Sequence, residues 1–181
     1  MNGKRILITE KSDFRLENKK FDGTESLIID GIFKKFDNNV GIYTKEEYLE
    51  QVKNLQPNIN ESKLIGEFRY PTMNSVSLMG ASHIINSLKY NEHKNQMEGQ
   101  IKLLNTPEGL VVQDCMRQGL EVKIMSRSIG IIEDNRIKLE LLITYDLITY
   151  GEVPSRFLTK INKDYGMPNN DNIELFKSNK L

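Results

Sequence analysis

Two short blocks decide how this chain is interpreted: Gly66-Glu67-Phe68-Arg69-Tyr70-Pro71 and Met125-Ser126-Arg127-Ser128-Ile129-Gly130. The first block ends a strand predicted at residues 64–70 and leads into a loop at 71–75. The second block lies inside an apolar-rich strand predicted at residues 121–132. The two blocks are therefore expected on different strands, so that only the folding of the chain brings them together.

Alternation of apolar and polar residues predicts a domain rich in antiparallel strands. Polar stretches at residues 91–96 and 133–135 separate neighbouring strands and predict two hairpins. The pattern predicts an α+β fold, a mostly antiparallel β-barrel or strongly curved sheet with two or three helices. The strands are predicted at residues 5–10, 27–33, 64–70, 82–90, 97–104, 121–132 and 137–150.

Two of the predicted helices carry clear start and stop signals. Thr44 is the expected N-cap of a capping box, and Thr106 precedes a proline at the first position of a second helix. Pro57 is predicted to end the first helix, and Gly119 is predicted to end the second in a left-handed conformation. A third, short helix is predicted at residues 156–164.

Length and charge limit the classes of function. A chain of 181 residues suits one domain, which we predict at residues 1–165, followed by a polar tail at 166–181. Basic and acidic residues balance at 25 each, so no net field attracts nucleic acid or an acidic membrane surface. The single Cys115 fits a reducing compartment. No apolar run approaches the roughly 18 residues of a membrane span, and we expect a cytoplasmic protein.

The order of the sequence blocks resembles that of the tailed-phage prohead (capsid maturation) proteases, whose fold is shared with the herpesvirus assemblins. Between the two blocks quoted above lie Ser82-His83-Ile84, a segment at residues 99–109 and Gln118-Gly119-Leu120. The resemblance covers roughly residues 28–155. It implies an assemblin-like fold and a role in phage capsid assembly.

The resemblance also implies that both catalytic residues are replaced. The family pattern for the first block is Gly-Glu-Leu-x-His-Pro, with a histidine base, and Tyr70 stands at that position. The family pattern for the second is Gly-Val-Ser-Ser-Arg-Gly, with the first serine as nucleophile, and Met125 stands there. A phenol with a pKa near 10 is a poor base at neutral pH, and a thioether has no proton to lose. Such losses typically cost on the order of a millionfold in rate.

Other candidate residues have both a functional and a structural interpretation. Asp146 matches the position of a recurrent family acid, which the resemblance implies once supported the base, and its alternative is a surface or turn acid within a strand. Arg127 matches a family arginine and is expected to form a structural ion pair here. An alternative dyad of Ser126 with His83 requires a bulge, because successive strand residues point to opposite faces and Ser126 faces away from Met125. Two histidines and one cysteine, none at ligand spacing, predict no metal site or cofactor.

The favoured hypothesis is a non-catalytic relative of the prohead protease that serves as a capsid-associated structural or accessory component of a tailed phage. Its expected partners are phage capsid or core proteins, with a homo-oligomer as a further state, and neither nucleic acid nor membrane. Its expected location is the host cytoplasm during assembly and then the virion. The alternatives are an active maturation peptidase that uses Ser126, His83 and Asp146, or a host-derived binding domain unrelated to phage.

Overall fold

Two antiparallel sheets of five strands each and two helices make up the part of the chain that the structure describes. The structure is a computed structural model and describes residues 4–11, 18–21, 27–36, 43–69, 73–133, 136–149, 156–161 and 168–172. The strands are β1 (Lys4–Lys11), β2 (Asn18–Phe21), β3 (Leu27–Lys35), β4 (Ile65–Glu67), β5 (Ala81–Asn91), β6 (Gln96–Leu103), β7 (Val122–Glu133), β8 (Arg136–Thr149), β9 (Arg156–Ile161) and β10 (Pro168–Asn172). The helices are α1 (Lys45–Asn60) and α2 (Pro107–Arg117), and a 3-10 turn lies at Leu78–Gly80.

The two sheets meet where their edge strands β4 and β8 touch. The strand order is β10-β9-β1-β7-β8 in the first sheet and β2-β3-β6-β5-β4 in the second. Phe68 forms a parallel bridge to Leu147, and the Arg69 amide donates to the Leu147 carbonyl at 2.9 Å. This junction is short because β4 has three residues and the chain turns at Arg69, whose φ is +85°. The described strands therefore do not close into a barrel, which corrects that part of the prediction, whereas the α+β class and the antiparallel sheets are confirmed.

One hydrophobic core is shared by the two sheets and both helices. Along β3, buried and partly buried residues alternate, and Ile29 and Phe33 are buried. The ring of Phe33 meets the ring of Tyr145 on β8 edge to face, with centroids 4.9 Å apart. The alternation that predicts strands from the sequence thus reflects which face of each sheet is buried.

Helix α1 continues past Pro57, so the predicted end of this helix is wrong. Thr44 caps its start as predicted, because its hydroxyl accepts from the Glu47 amide at 3.1 Å and the Glu47 carboxylate accepts from the Thr44 amide. Pro57 lies on the exposed side of α1, where water can satisfy the backbone carbonyl that proline leaves without a donor. Ile59, only 4% exposed, anchors the last turn to the core.

The local signals around α2 and the two hairpins are confirmed. Thr106 caps α2 by accepting from the Gly109 amide at 3.2 Å, and Gly119 has a φ of +79° just after the helix. β5 pairs with β6, and β7 pairs with β8, as the polar stretches between them predict. These features depend on residues close together in sequence, which is why the sequence alone predicts them.

The helix predicted at residues 156–164 is wrong, because Arg156–Ile161 forms strand β9 against β1. A segment this short gains little as an isolated helix, whereas pairing with β1 satisfies the backbone groups on the free edge of that strand. Within the segment 166–181, residues Pro168–Asn172 form β10 beside β9. The rest of that segment, from residue 173 on, lies outside the described residues.

Candidate functional site

Met125 and Asp146, two of the three positions that the family resemblance assigns to catalysis, are direct neighbours on paired strands. They are register partners on β7 and β8, so their side chains lie on the same face of the sheet. Met125 is 1% exposed and Asp146 is fully buried. Tyr70, the third position, lies outside the described residues. The described backbone just before it ends at Arg69, whose amide bonds to the carbonyl of the residue after Asp146.

A buried arginine occupies the centre of this face. Nη2 of Arg127 lies 3.0 Å from Asp146 Oδ1 and 2.7 Å from Glu67 Oε2, and Nε lies 2.9 Å from Asp146 Oδ2 without the alignment of a hydrogen bond. Nη1 donates to the carbonyls of Met73 and Ser75 at 3.0 and 2.9 Å. All three guanidinium nitrogens of Arg127 are therefore committed to oxygens of this protein, and the predicted structural ion pair is confirmed.

The two acids beside Arg127 are themselves tied to backbone amides. Asp146 Oδ1 accepts from the Glu67 amide at 3.0 Å, and Glu67 Oε1 accepts from the Ser77 amide at 2.6 Å. We call Arg127, Glu67 and Asp146 the Arg127 cluster. It fastens β4, β7, β8 and the segment 73–77 to one another. The interpretation of Asp146 as a surface acid is therefore wrong.

The Arg127 cluster combines one cation with two carboxylates in a place that water does not reach. Burial is the largest influence on Asp146 and raises its pKa, while Arg127 and the Glu67 amide lower it and the Glu67 charge raises it further, to about 7. A carboxyl group with this pKa changes its charge near neutral pH. The ion pairs and hydrogen bonds described above hold the cluster together. Its net charge is close to zero when Asp146 carries a proton, because the charges of Arg127 and Glu67 then offset each other.

Gly66 allows β4 to lie directly against the second half of the site. A Cβ atom at this position would lie 2.1 Å from the Tyr145 carbonyl oxygen and 2.3 Å from two atoms of the His83 ring. Real Cβ atoms do not approach other atoms this closely. The glycine of the first sequence block is therefore required by the packing of β4 on β5 and β8.

His83 is fully buried and both of its ring nitrogens have partners. Nε2 lies 3.1 Å from the Tyr145 carbonyl, so it carries the proton, and Nδ1 accepts from the Ser82 hydroxyl at 2.9 Å. Burial lowers the pKa of His83 to about 3, partly offset by the bond to the Tyr145 carbonyl. The imidazole is therefore a neutral structural group at physiological pH and a weak base.

Ser126 and His83, the alternative dyad, bond to different groups. The Ser126 hydroxyl donates to the Glu10 carbonyl at 3.3 Å. Its register partners are Glu10 on β1 and Tyr145 on β8, so it lies on the face opposite Met125 and Asp146, as alternation along a strand predicts. The serine that does contact His83 is its neighbour Ser82, which is fully buried as well.

Several groups in this site have no signal in the sequence. Every residue has a backbone carbonyl, so the sequence does not mark those of Met73 and Ser75 as acceptors for an arginine. Ser82 directly precedes His83, and strand alternation predicts that their two side chains lie on opposite faces. The detectable signal was an arginine inside an apolar strand, which requires buried partners.

Among the described residues, no three side chains of His, Cys, Asp or Glu are grouped so that they could hold a metal ion. No helix in those ranges has the length and apolar character needed to cross a membrane.

The arrangement of strands and helices is similar to that of a known structure. The chain is similar to the capsid assembly protease gp21 of bacteriophage T4, with a TM-score of 0.64 and 18% sequence identity over 82% of this chain and 99% of that chain. The fold is that of a phage capsid assembly protease. The fold that the sequence blocks imply is thus confirmed. No protein-family model matches this chain, and no curated protein sequence matches it.

The low pKa of His83 gives a prediction for stability. In the unfolded chain its pKa is about 6.5, so below that pH the unfolded state binds a proton that the folded state binds only near pH 3. The contribution of His83 is complete above about pH 6.5 and is lost as the pH falls, by at most about 1.4 kcal/mol per pH unit. Urea unfolding of wild type and His83→Gln at pH 4.5 to 7 is expected to show a difference in unfolding free energy that grows with pH.

His93 provides the matched control for this measurement, because it lies exposed in the turn between β5 and β6. The variant His93→Gln is expected to differ from wild type by the same small amount at every pH. A pH-independent difference between wild type and His83→Gln would show that His83 is protonated equally in both states.

Proposed function

We propose that this protein is a non-catalytic member of the capsid assembly protease fold that serves as a structural or accessory component of a tailed-phage capsid. The observation that carries the proposal is Met125, a buried thioether at the nucleophile position implied by the sequence resemblance, facing Asp146 inside this fold. A thioether cannot attack an amide carbonyl as a serine alkoxide does.

The Arg127 cluster supports a structural role for the former site. An oxyanion hole needs donors that point into open space where a substrate oxygen can sit. The nitrogens of Arg127 are directed instead at two carboxylates and two backbone carbonyls of the same chain. Arg127 thus fixes the segment 73–77 over the face of β7 and β8 that carries Met125 and Asp146.

The environment of His83 and Ser126 also supports the proposal that the protein has no peptidase activity. A general base must reach the hydroxyl that it activates, but His83 bonds to the Tyr145 carbonyl and Ser126 bonds to the Glu10 carbonyl. His83 has a pKa of about 3, far below the value near 7 that suits a base at neutral pH.

Binding can persist when cutting is lost. A sheet edge recognises an extended segment of another protein through main-chain hydrogen bonds, which require no nucleophile. In this proposal the protein binds capsid or core proteins during assembly in the host cytoplasm and stays in the virion. No cofactor or metal is needed for such binding.

The proposal predicts that the intact protein remains in mature phage particles. A maturation protease that cleaves itself leaves fragments, whereas a structural component keeps these 181 residues in one uncut chain. Purified particles should therefore contain the undigested chain by gel electrophoresis and peptide mass spectrometry. The purified protein should also not react with a serine-directed fluorophosphonate or cleave the capsid protein precursor.

Ser126→Ala is the control that identifies the alternative peptidase. Because Ser126 contacts only the neighbouring β1 carbonyl among its described hydrogen bonds, this variant should fold like wild type and show the same lack of labelling. Labelling or cleavage that is present in wild type and absent in Ser126→Ala would overturn the proposal in favour of an active enzyme.

A further inference from the structure

The segment 73–77 contacts the Arg127 cluster through its main chain. Arg127 Nη1 donates to the carbonyls of Met73 and Ser75 at 3.0 and 2.9 Å, and the Ser77 amide donates to Glu67 Oε1 at 2.6 Å. Each of these three bonds uses a group that any non-proline residue carries. The cluster therefore binds a peptide main chain here, in the way that main-chain recognition of a partner's segment works elsewhere in proteins.

The residues whose main chain contacts the cluster keep their side chains in solvent. Met73 is 38% exposed, and Ser75 and Ser77 are exposed as well. Arg127 beneath them is fully buried. When the segment moves away, water can take over the bonds that it makes to the cluster, so its displacement costs less than the removal of Arg127 itself.

The charge of the cluster determines which kind of ligand can replace the segment. Arg127 is paired with both Glu67 and Asp146, so the cluster has no excess positive charge. A carboxylate or phosphate ligand would bring another negative charge next to these two acids. A neutral carbonyl oxygen accepts from Arg127 without that repulsion. The present occupant fits this rule, because the sequence between Arg69 and Lys89 contains no Asp, Glu, Lys or Arg.

We propose that the Arg127 cluster is a binding site for an uncharged stretch of peptide main chain, and that the segment 73–77 occupies this site until a capsid or core protein supplies such a stretch. This inference rests on the proposed function and adds the position at which the partner binds. The partner competes with the segment for Arg127 Nη1 and Glu67 Oε1. Because the site is open only while the segment is displaced, the apparent affinity for a partner is reduced by the open fraction.

The test compares Ser77→Pro with Ser77→Ala. Both variants lose the hydroxyl that accepts from the Met79 amide, but only proline also removes the amide that donates to Glu67. The probe is a fluorescent peptide with blocked ends that copies residues 72–80 and supplies the missing amide. In anisotropy titrations the peptide should bind Ser77→Pro at least about tenfold more tightly than it binds wild type or Ser77→Ala.

A second variant and a second peptide complete the design. Asn74→Gly with Val76→Gly keeps every bond of the segment to the cluster but increases the entropy that the segment loses on closing, so this variant should bind the probe at least about threefold more tightly than wild type. It also serves if Ser77→Pro does not fold. A probe that is N-methylated at the Ser77 position cannot donate to Glu67 and should bind the opened variants about tenfold more weakly than the unmodified probe.

The outcomes separate this inference from the proposed function. Equal binding of the probe to wild type and to both opened variants would overturn the inference, because the segment would then not close the site. Equal binding of the N-methylated probe, or no binding by an opened variant that folds, would overturn it too. These results leave the proposed function standing, since that is tested on phage particles. Cleavage of the probe by an opened variant would instead overturn the proposed function and support the binding site.

Discussion

Replacing Arg127 with Met is expected to lower the free energy of unfolding by roughly 3–5 kcal/mol, the usual cost of removing one partner from a buried ion pair. The substitution leaves the carboxylates of Glu67 and Asp146 close together without a cation. It also leaves the carbonyls of Met73 and Ser75 without their donors. Because the two carboxylates are buried, solvent does not compensate for the loss of the cation, whereas water can reach the exposed residues Met73 and Ser75. Urea unfolding followed by circular dichroism measures the change.

Two further variants make this prediction specific. Arg117→Met removes an exposed arginine whose ion pair with Asp114 lies on the surface of α2, and it should change stability by less than about 1 kcal/mol. Combining Arg127→Met with Glu67→Gln and Asp146→Asn removes the stranded charges as well, so the triple variant should be more stable than Arg127→Met alone. A cost below about 1 kcal/mol for Arg127→Met would mean that the cluster is not closed to water.

The features that the sequence predicts correctly are those determined by neighbouring residues. Thr44 and Thr106 cap helices through amides three positions on, and Gly119 adopts its left-handed conformation within the same turn. The two hairpins follow from polar stretches between alternating strands. In each case the interacting groups are close along the chain, so the pattern contains the physical cause.

The features that the sequence does not predict depend on distant partners. Residues 156–161 become a strand because they pair with the edge of β1, a strand that lies near the other end of the chain. Pro57 stays inside α1 because Ile59 packs into the core. The family resemblance identifies Met125 and Asp146, and the register of β7 and β8 makes them neighbours. The backbone carbonyls that hold Arg127 become apparent only in three dimensions.

Gly66→Ala is expected to destabilise the protein by roughly 3 kcal/mol or more, because the new methyl group has no space. Two of the groups in its way differ in how far they can move. The His83 ring belongs to a side chain, but the Tyr145 carbonyl, whose oxygen would lie 2.1 Å from the new Cβ atom, belongs to the backbone of β8. Relief therefore requires β4 to move away from β8, which lengthens the 3.0 Å bond from the Glu67 amide to Asp146 and weakens the Arg127 cluster.

Three measurements distinguish this steric effect from a general sensitivity of glycine positions. Gly80→Ala is the comparison: its new Cβ atom would lie 3.1 to 3.4 Å from side-chain atoms of Glu67 and meets no backbone atom this closely, so a small shift of Glu67 relieves the contact and the cost should be clearly smaller than that of Gly66→Ala. Adding His83→Ala to Gly66→Ala should not restore stability, since the Tyr145 carbonyl remains in place. Hydrogen exchange should show faster exchange at the amides of Glu67 and Arg69, which bond to β8. Recovery of stability in the double variant would instead mean that the imidazole is the obstacle, and that β4 is held to β8 less tightly than the Arg127 cluster implies.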